Sequence, residues 1–91
     1  MEQAVRVIEN GPPIPAGDID ALFHAYGDMI YRLAFLRTKS GSDADDIVQE
    51  VFLRCLRAKP TWNSREHQKA WFLTVTINCT KSLLTSAFRR H

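Results

Sequence analysis

The stretch Ser42–Arg57, Ser-Asp-Ala-Asp-Asp-Ile-Val-Gln-Glu-Val-Phe-Leu-Arg-Cys-Leu-Arg, constrains the fold more than any other part of this chain. Ile47, Val48, Val51, Phe52, Cys55 and Leu56 recur at the spacing of a helix with one apolar face. Ser42 and Asp45 stand in the Ser-x-x-Asp spacing of a capping box, in which the hydroxyl accepts from an early helical N–H. Aspartates at 43, 45 and 46 suit the positive end of the helix dipole. Asp45, Asp46, Gln49, Glu50 and Arg54 are left for the other face. The period predicts a helix and says nothing about what that polar face does.

Upstream, Gly11, Pro12, Pro13, Pro15 and Gly17 forbid a continuous helix, so residues 1–17 read as an extended or flexible arm. Asp18 or Asp20 can cap a helix reaching about Lys39, with Leu22, Phe23, Tyr26, Met29, Ile30, Leu33, Ala34 and Leu36 along its apolar stripe. Phe23, Tyr26 and Phe35 are expected in the core. Gly27, inside that helix, suggests close approach of another helix, and Gly41 is available for a left-handed cap before the next one.

Downstream, Lys59-Pro60 ends the central helix. Pro60 to Gln68 is a polar loop, and its Trp62 has two readings, a plug over the core or a surface on which a base rests. Leu73-Thr-Val-Thr-Ile77 alternates like a strand, yet Ala70, Leu73, Ile77, Leu84 and Phe88 keep the helical period across a window without turn signals. A last helix over about Glu66–Phe88 is therefore expected. The fold class is all-α, a compact three-helix bundle over residues 18–91 with a flexible N-terminal arm.

Ninety-one residues suffice for one small core. No apolar run approaches a membrane span, and the N-terminus lacks the plan of a signal peptide, so a soluble, cytoplasmic protein without membrane contact is expected. Cys55 and Cys79 are expected to be reduced core thiols, because two cysteines without Cys-x-x-Cys spacing make neither a disulfide scaffold nor a zinc site. No phosphate loop, nucleophile elbow or second acidic helix appears, which leaves no catalytic residue, metal site, cofactor or enzyme to predict.

Charge is unevenly divided. Residues 1–50 carry four basic and nine acidic side chains, a balance of −5, whereas residues 51–91 carry eight and one, a balance of +7. Such a split suits a polyanion at the second half, although a solvated basic face explains it as well.

Asp45-Asp46-Ile-Val-Gln49-Glu50-Val-Phe52-Leu-Arg54, followed by Trp62 in a polar loop, then Trp71-Phe72 and Asn78, resembles region 2 of bacterial sigma factors of the sigma-70 family. The pattern is most similar to the extracytoplasmic-function (ECF) group, and the resemblance covers about residues 18–90. It implies that Asp46, Gln49, Glu50 and Arg54 dock on the β′ clamp helices of core RNA polymerase. It also implies that Trp62, Asn63, Ser64, Arg65 and Gln68 belong to a promoter-melting loop taking a base from the non-template single strand. Lys69, Asn78, Lys81, Ser82, Arg89 and Arg90 would hold the rest of the minus-ten element. An anti-sigma factor is a possible further partner. Threonines stand in Leu73–Thr80 where relatives carry arginines, and Ser82 replaces a common Asn or Asp, so base preference does not transfer. Region 4, the second helical domain of such factors, is missing after His91; the chain reads better as an excised domain than as a truncated product. Two rivals are a duplex-reading helical regulator and a protein-interaction module with little DNA recognition.

Overall fold

Two short links set the architecture, and both rest on a lysine in left-handed backbone geometry. The computed structural model describes residues 11–89, with side chains described as far as Thr85. It contains α1 (Ile19–Thr38), α2 (Gly41–Ala58) and α3 (Arg65–Arg89), with no strand among the described residues. Asp18 caps α1, its side chain accepting from the Ala21 N–H at 3.2 Å. At the far end Lys39 turns the chain with φ 59°, and its N–H donates to the Phe35 carbonyl at 2.7 Å. Lys59 closes α2 in the same way, with φ 46° and its N–H on the Cys55 carbonyl at 2.9 Å.

The cap of α2 differs from the sequence expectation. Ser40, in extended geometry, accepts from the Asp43 N–H at 3.2 Å, and Gly41 is already helical. The Ser-x-x-Asp spacing occurs twice, at 40/43 and 42/45, and the earlier copy is used. Lys39 takes the left-handed turn foreseen for Gly41, so the helix starts sooner and Asp45 is free of the cap.

The core joins Leu22, Tyr26, Ile30 and Ala34 of α1 to Ala44, Ile47, Val51, Phe52 and Cys55 of α2. From the other side it is closed by Trp62, Phe72 and Cys79. Phe23 and Phe35 are exposed instead, as are Leu36 and Leu56. Phe23 leans on Phe52 at 5.6 Å and Phe35 stacks on Tyr31 at 6.2 Å, so each covers its neighbour from outside. Gly27 is buried, and the nearest atoms a Cβ there would meet are 3.5 to 3.6 Å away in the Phe23 ring, not in another helix. That is ordinary contact. Gly27→Ala is accordingly expected to raise stability by roughly 0.5–1 kcal/mol through lost backbone entropy in the unfolded chain, measured as a higher urea midpoint.

In α3 the helix is as expected but its phase is not. The buried line is Gln68, Phe72, Thr76, Cys79 and Thr80, while Ala70 and Leu84 are exposed and Leu73 and Ile77 only half-buried. Polar residues hold core positions because each is satisfied there. Thr76 donates to the Phe72 carbonyl at 2.6 Å. Thr80 donates to the Ile77 carbonyl at 2.7 Å and accepts from Arg37 Nε at 2.7 Å. Buried hydroxyls bonded within their own helix cost little, so a stripe counted on apolar letters alone lands on the wrong face.

Of the arm, residues 1–10 lie outside the described residues. Residues 12–15 carry no regular secondary structure and 16–17 form a turn, and the segment is held, with the Gly11 carbonyl accepting from the Arg65 N–H at 3.2 Å and the Pro15 carbonyl from the Asp18 N–H at 3.0 Å. Among the described residues no helix is long and apolar enough to cross a membrane.

Candidate functional site

Helix α2 lies between two grooves, and its polar residues divide between them. Towards α3, Asp46, Glu50 and Arg54 join Ser82 around a groove of about 380 Å³ whose lining includes Ile47, Cys79 and Leu83. Glu50 Oε2 accepts from Arg54 Nε at 3.1 Å and lies 3.9 Å from Arg57 Nη1. These pairs are about 40% exposed or more, so they order the side chains while contributing at most a few tenths of a kcal/mol. Asp45 and Asp46 stay exposed, which leaves the ridge acidic at its N-terminal end.

Towards α1, Gln49 borders a groove of about 440 Å³ lined by Ile19, Phe23, Val48, Phe52, Leu53 and Leu56. This apolar trough was not anticipated. Leu53 is the readable signal, since it stands four positions after Gln49 and so interrupts the polar face at helical spacing.

Burial pushes the Cys55 thiol pKa up. For Cys79 burial does the same, while Arg54 draws the value down and Glu50 adds to the rise. Both are buried, unpaired thiols, as expected from the sequence.

The loop before α3 departs most from the anticipated site. Trp62 is buried, 8% exposed, with its ring centroid 5.7 Å from Trp71 and 5.8 Å from Phe72. It is the plug of the two readings, and its face is not open to a base. Its indole Nε1 is a buried donor without a partner among the described residues. Gln68 is completely buried, and its amide is occupied by internal bonds: Nε2 donates to the Ile14 carbonyl at 2.7 Å, and Oε1 accepts from the Ile14 N–H at 3.2 Å and from Tyr26 Oη at 2.8 Å. Gln68 therefore leaves the set of DNA-facing residues. Arg65 is half-buried, with Nε donating to Tyr26 Oη at 3.2 Å and its guanidinium 5.9 Å from the centre of that ring.

Asn63 is exposed and Ser64 half-buried at the mouth of the loop. His67, not foreseen as a contributor, locks it: its Nδ1 accepts from the Asn63 N–H at 3.1 Å and its N–H donates to Ser64 Oγ at 3.1 Å. Ser64-x-x-His67 is a cap spacing that was open to reading in the sequence.

Along α3, Lys69, Asn78, Lys81 and Ser82 are all exposed, but they do not share one face. Lys69 and Asn78 are roughly half a turn out of phase at about 100° per residue, and Ser82 turns to the α2 groove. Asn78 and Lys81 lie with Thr74 and Thr85 on the outward ridge, about 20 Å along the axis from the start of the helix. Arg89 is the last residue of α3 with its side chain outside the described residues, and Arg90 lies outside them altogether.

The arrangement defines a helical binding domain, with an acidic and amide ridge on one helix and an amide and ammonium ridge on the next. A family model of sigma-70 region 2 matches residues 22–90, and the chain belongs to that family. It is 32% identical over 79 residues to the ECF RNA polymerase sigma factor BldN of Streptomyces coelicolor (strain ATCC BAA-471 / A3(2) / M145), which covers 82% of this chain and 30% of BldN. It is 30% identical over 54 residues to the ECF RNA polymerase sigma factor SigX of Bacillus subtilis (strain 168), covering 59% of this chain and 28% of SigX. The chain thus spans less than a third of either curated relative. These matches agree with the ECF-type region 2 pattern read from the sequence. No solved structure matches the chain.

Proposed function

We propose that this domain acts in transcription initiation by docking on core RNA polymerase and holding the unpaired non-template strand of the minus-ten promoter element. The observation that carries the reading is the family match over residues 22–90, which includes both polar ridges. Asp46, Gln49, Glu50 and Arg54 form the polymerase-facing side, where an acidic and amide surface on a rigid helix suits the basic side chains of a coiled coil such as the β′ clamp helices. Asn63 and Ser64 at the loop mouth, with Asn78 and Lys81 on the outward ridge of α3, form the DNA-facing side, and Arg89 and Arg90 follow them in the sequence. Amides read base edges and ammonium groups hold phosphates. Trp62 supports the loop from beneath.

No bond is made or broken in this role. Each unpaired base held by the domain stabilises open DNA relative to duplex, and the equilibrium shifts by that difference in binding energy. A protein-interaction module, with an anti-sigma factor as its partner, is the second reading; the exposed apolar groove beside Gln49 favours it.

Fluorescence anisotropy of a labelled minus-ten single strand, titrated with the chain in complex with core polymerase, separates the two. Lys81→Ala is expected to weaken single-strand binding by about threefold and to flatten its salt dependence by about one ion, with Asn78→Ala changing base preference rather than salt slope. Binding that is no tighter for the single strand than for duplex, or that neither substitution alters, sinks the DNA-holding role.

A further inference from the structure

We infer that Gln68 is a positioning residue that clamps the Gly11–Ala16 segment against the loop before α3, so that this strap sets the geometry of the loop mouth at Asn63 and Ser64. The inference rests on the DNA-holding reading above and goes beyond it, because neither the strap nor the buried Gln68 side chain is part of the face offered to DNA.

Gln68 binds one residue of the strap on both of its backbone groups, the Ile14 carbonyl at 2.7 Å and the Ile14 N–H at 3.2 Å, across 54 positions of sequence. This is the pairing one strand makes with a neighbour, supplied here by a side-chain amide. Ile14 lies between Pro13 and Pro15, neither of which has an N–H, so it offers the strap's only N–H from Pro12 to Pro15. The prolines also keep the segment extended at small entropic cost. Its second anchor, the Arg65 N–H on the Gly11 carbonyl, is the first backbone group of α3 and directly follows the loop. Tyr26 Oη joins both anchors to α1, donating to Gln68 Oε1 at 2.8 Å and accepting from Arg65 Nε at 3.2 Å. The Gln68 N–H meanwhile donates to the Ser64 carbonyl at 2.9 Å. Strap, first turn of α3 and loop mouth thus form one hydrogen-bonded unit in which both polar atoms of the buried Gln68 amide are bonded.

A network of this kind is either made together or lost together. Without the strap, the Arg65 N–H loses its partner and the buried Gln68 amide keeps only the Tyr26 hydroxyl, so the lowest-cost response is fraying of the first turn of α3. That turn carries the His67 bonds to Asn63 and Ser64. Displacement of the N-terminal segment is in this way transmitted to the loop without a change in α2.

Amide hydrogen exchange of the 91-residue chain, compared with Gln68→Leu and with a variant lacking residues 1–16, tests the inference. Both variants are expected to exchange about tenfold faster at residues 63–68 with α2 unchanged, as local opening of one unit requires. Both should retain core polymerase as the wild type does while binding the minus-ten single strand about fivefold more weakly, a split that general loss of structure would not produce. Unchanged exchange at residues 63–68 in a folded variant overturns the inference. So does global unfolding of both variants, since the strap would then hold the bundle and not the loop. If exchange shifts as expected but wild-type complex binds no single strand, the clamp stands and the DNA-holding reading fails.

Discussion

Phe72→Ala is expected to cost about 4–5 kcal/mol and to lower the melting midpoint by roughly 20 °C or more. Phe72 is fully buried where all three helices meet. Its ring stacks on Tyr26 at 4.9 Å, tilts on Phe52 at 5.6 Å and meets Trp71 edge-on at 5.0 Å. Trp62 closes the group at 5.8 Å. Truncation removes the transfer energy of the ring and leaves a cavity ringed by rigid aromatics that cannot collapse into it. Aromatic pair terms of about 0.5–1.5 kcal/mol each add to the loss. A domain of this length has a total stability on the order of 5–10 kcal/mol, so the substitution removes a large fraction of it. Circular dichroism melts check this directly, and a midpoint within a few degrees of wild type would mean that the aromatic cluster is not the centre of the core.

Trp62 is expected to give two different results from two substitutions. Trp62→Ala should cost about 3–4 kcal/mol, since a buried indole packed on Trp71 and Phe72 is lost. Trp62→Phe should cost less than about 1.5 kcal/mol, because it keeps much of the apolar contact and removes an N–H that has no partner among the described residues. Urea titrations of the three proteins measure both differences. A residue that served only as an exposed stacking surface would show neither, and would lose single-strand binding with stability intact. The same reasoning warns against Trp62→Ala as a probe of DNA contact: its effect on DNA is expected to follow from unfolding.

The helices were legible because their signals are local. The apolar period of Ile47, Val51, Phe52 and Cys55, the Asp18 cap and the Pro60 stop each act within a few residues. Which side of α3 faces inward was not legible, since Gln68 and Thr80 are buried through partners that include Ile14, Tyr26 and Arg37, up to 54 positions away, while Thr76 is satisfied by the Phe72 carbonyl of its own helix. The α2 cap was ambiguous between two copies of one spacing, and a left-handed lysine decided it. Asp46, Gln49, Glu50 and Arg54 share one side of a helix, so their proximity could be read, but their division between two grooves depends on how α1 and α3 pack. Trp62 and Gln68 stand in a polar stretch of sequence; the plug was one of two readings open for Trp62, and only the fold reveals that Gln68 is interior as well.

The central claim is that the α2 ridge docks on core RNA polymerase, and one measurement bears on it most directly: retention of purified core polymerase by the immobilised chain, wild type against Glu50→Lys. Glu50 is about 39% exposed at its side chain and holds only surface pairs, so the substitution should leave the melting curve within about 1 kcal/mol of wild type. Reversing its charge beside Arg54 and Arg57 turns an acidic and amide surface towards a basic one, and retention is expected to fall about tenfold or more, as loss of charge-assisted contacts predicts. Equal retention of both proteins, or no retention of the wild type, would contradict the account.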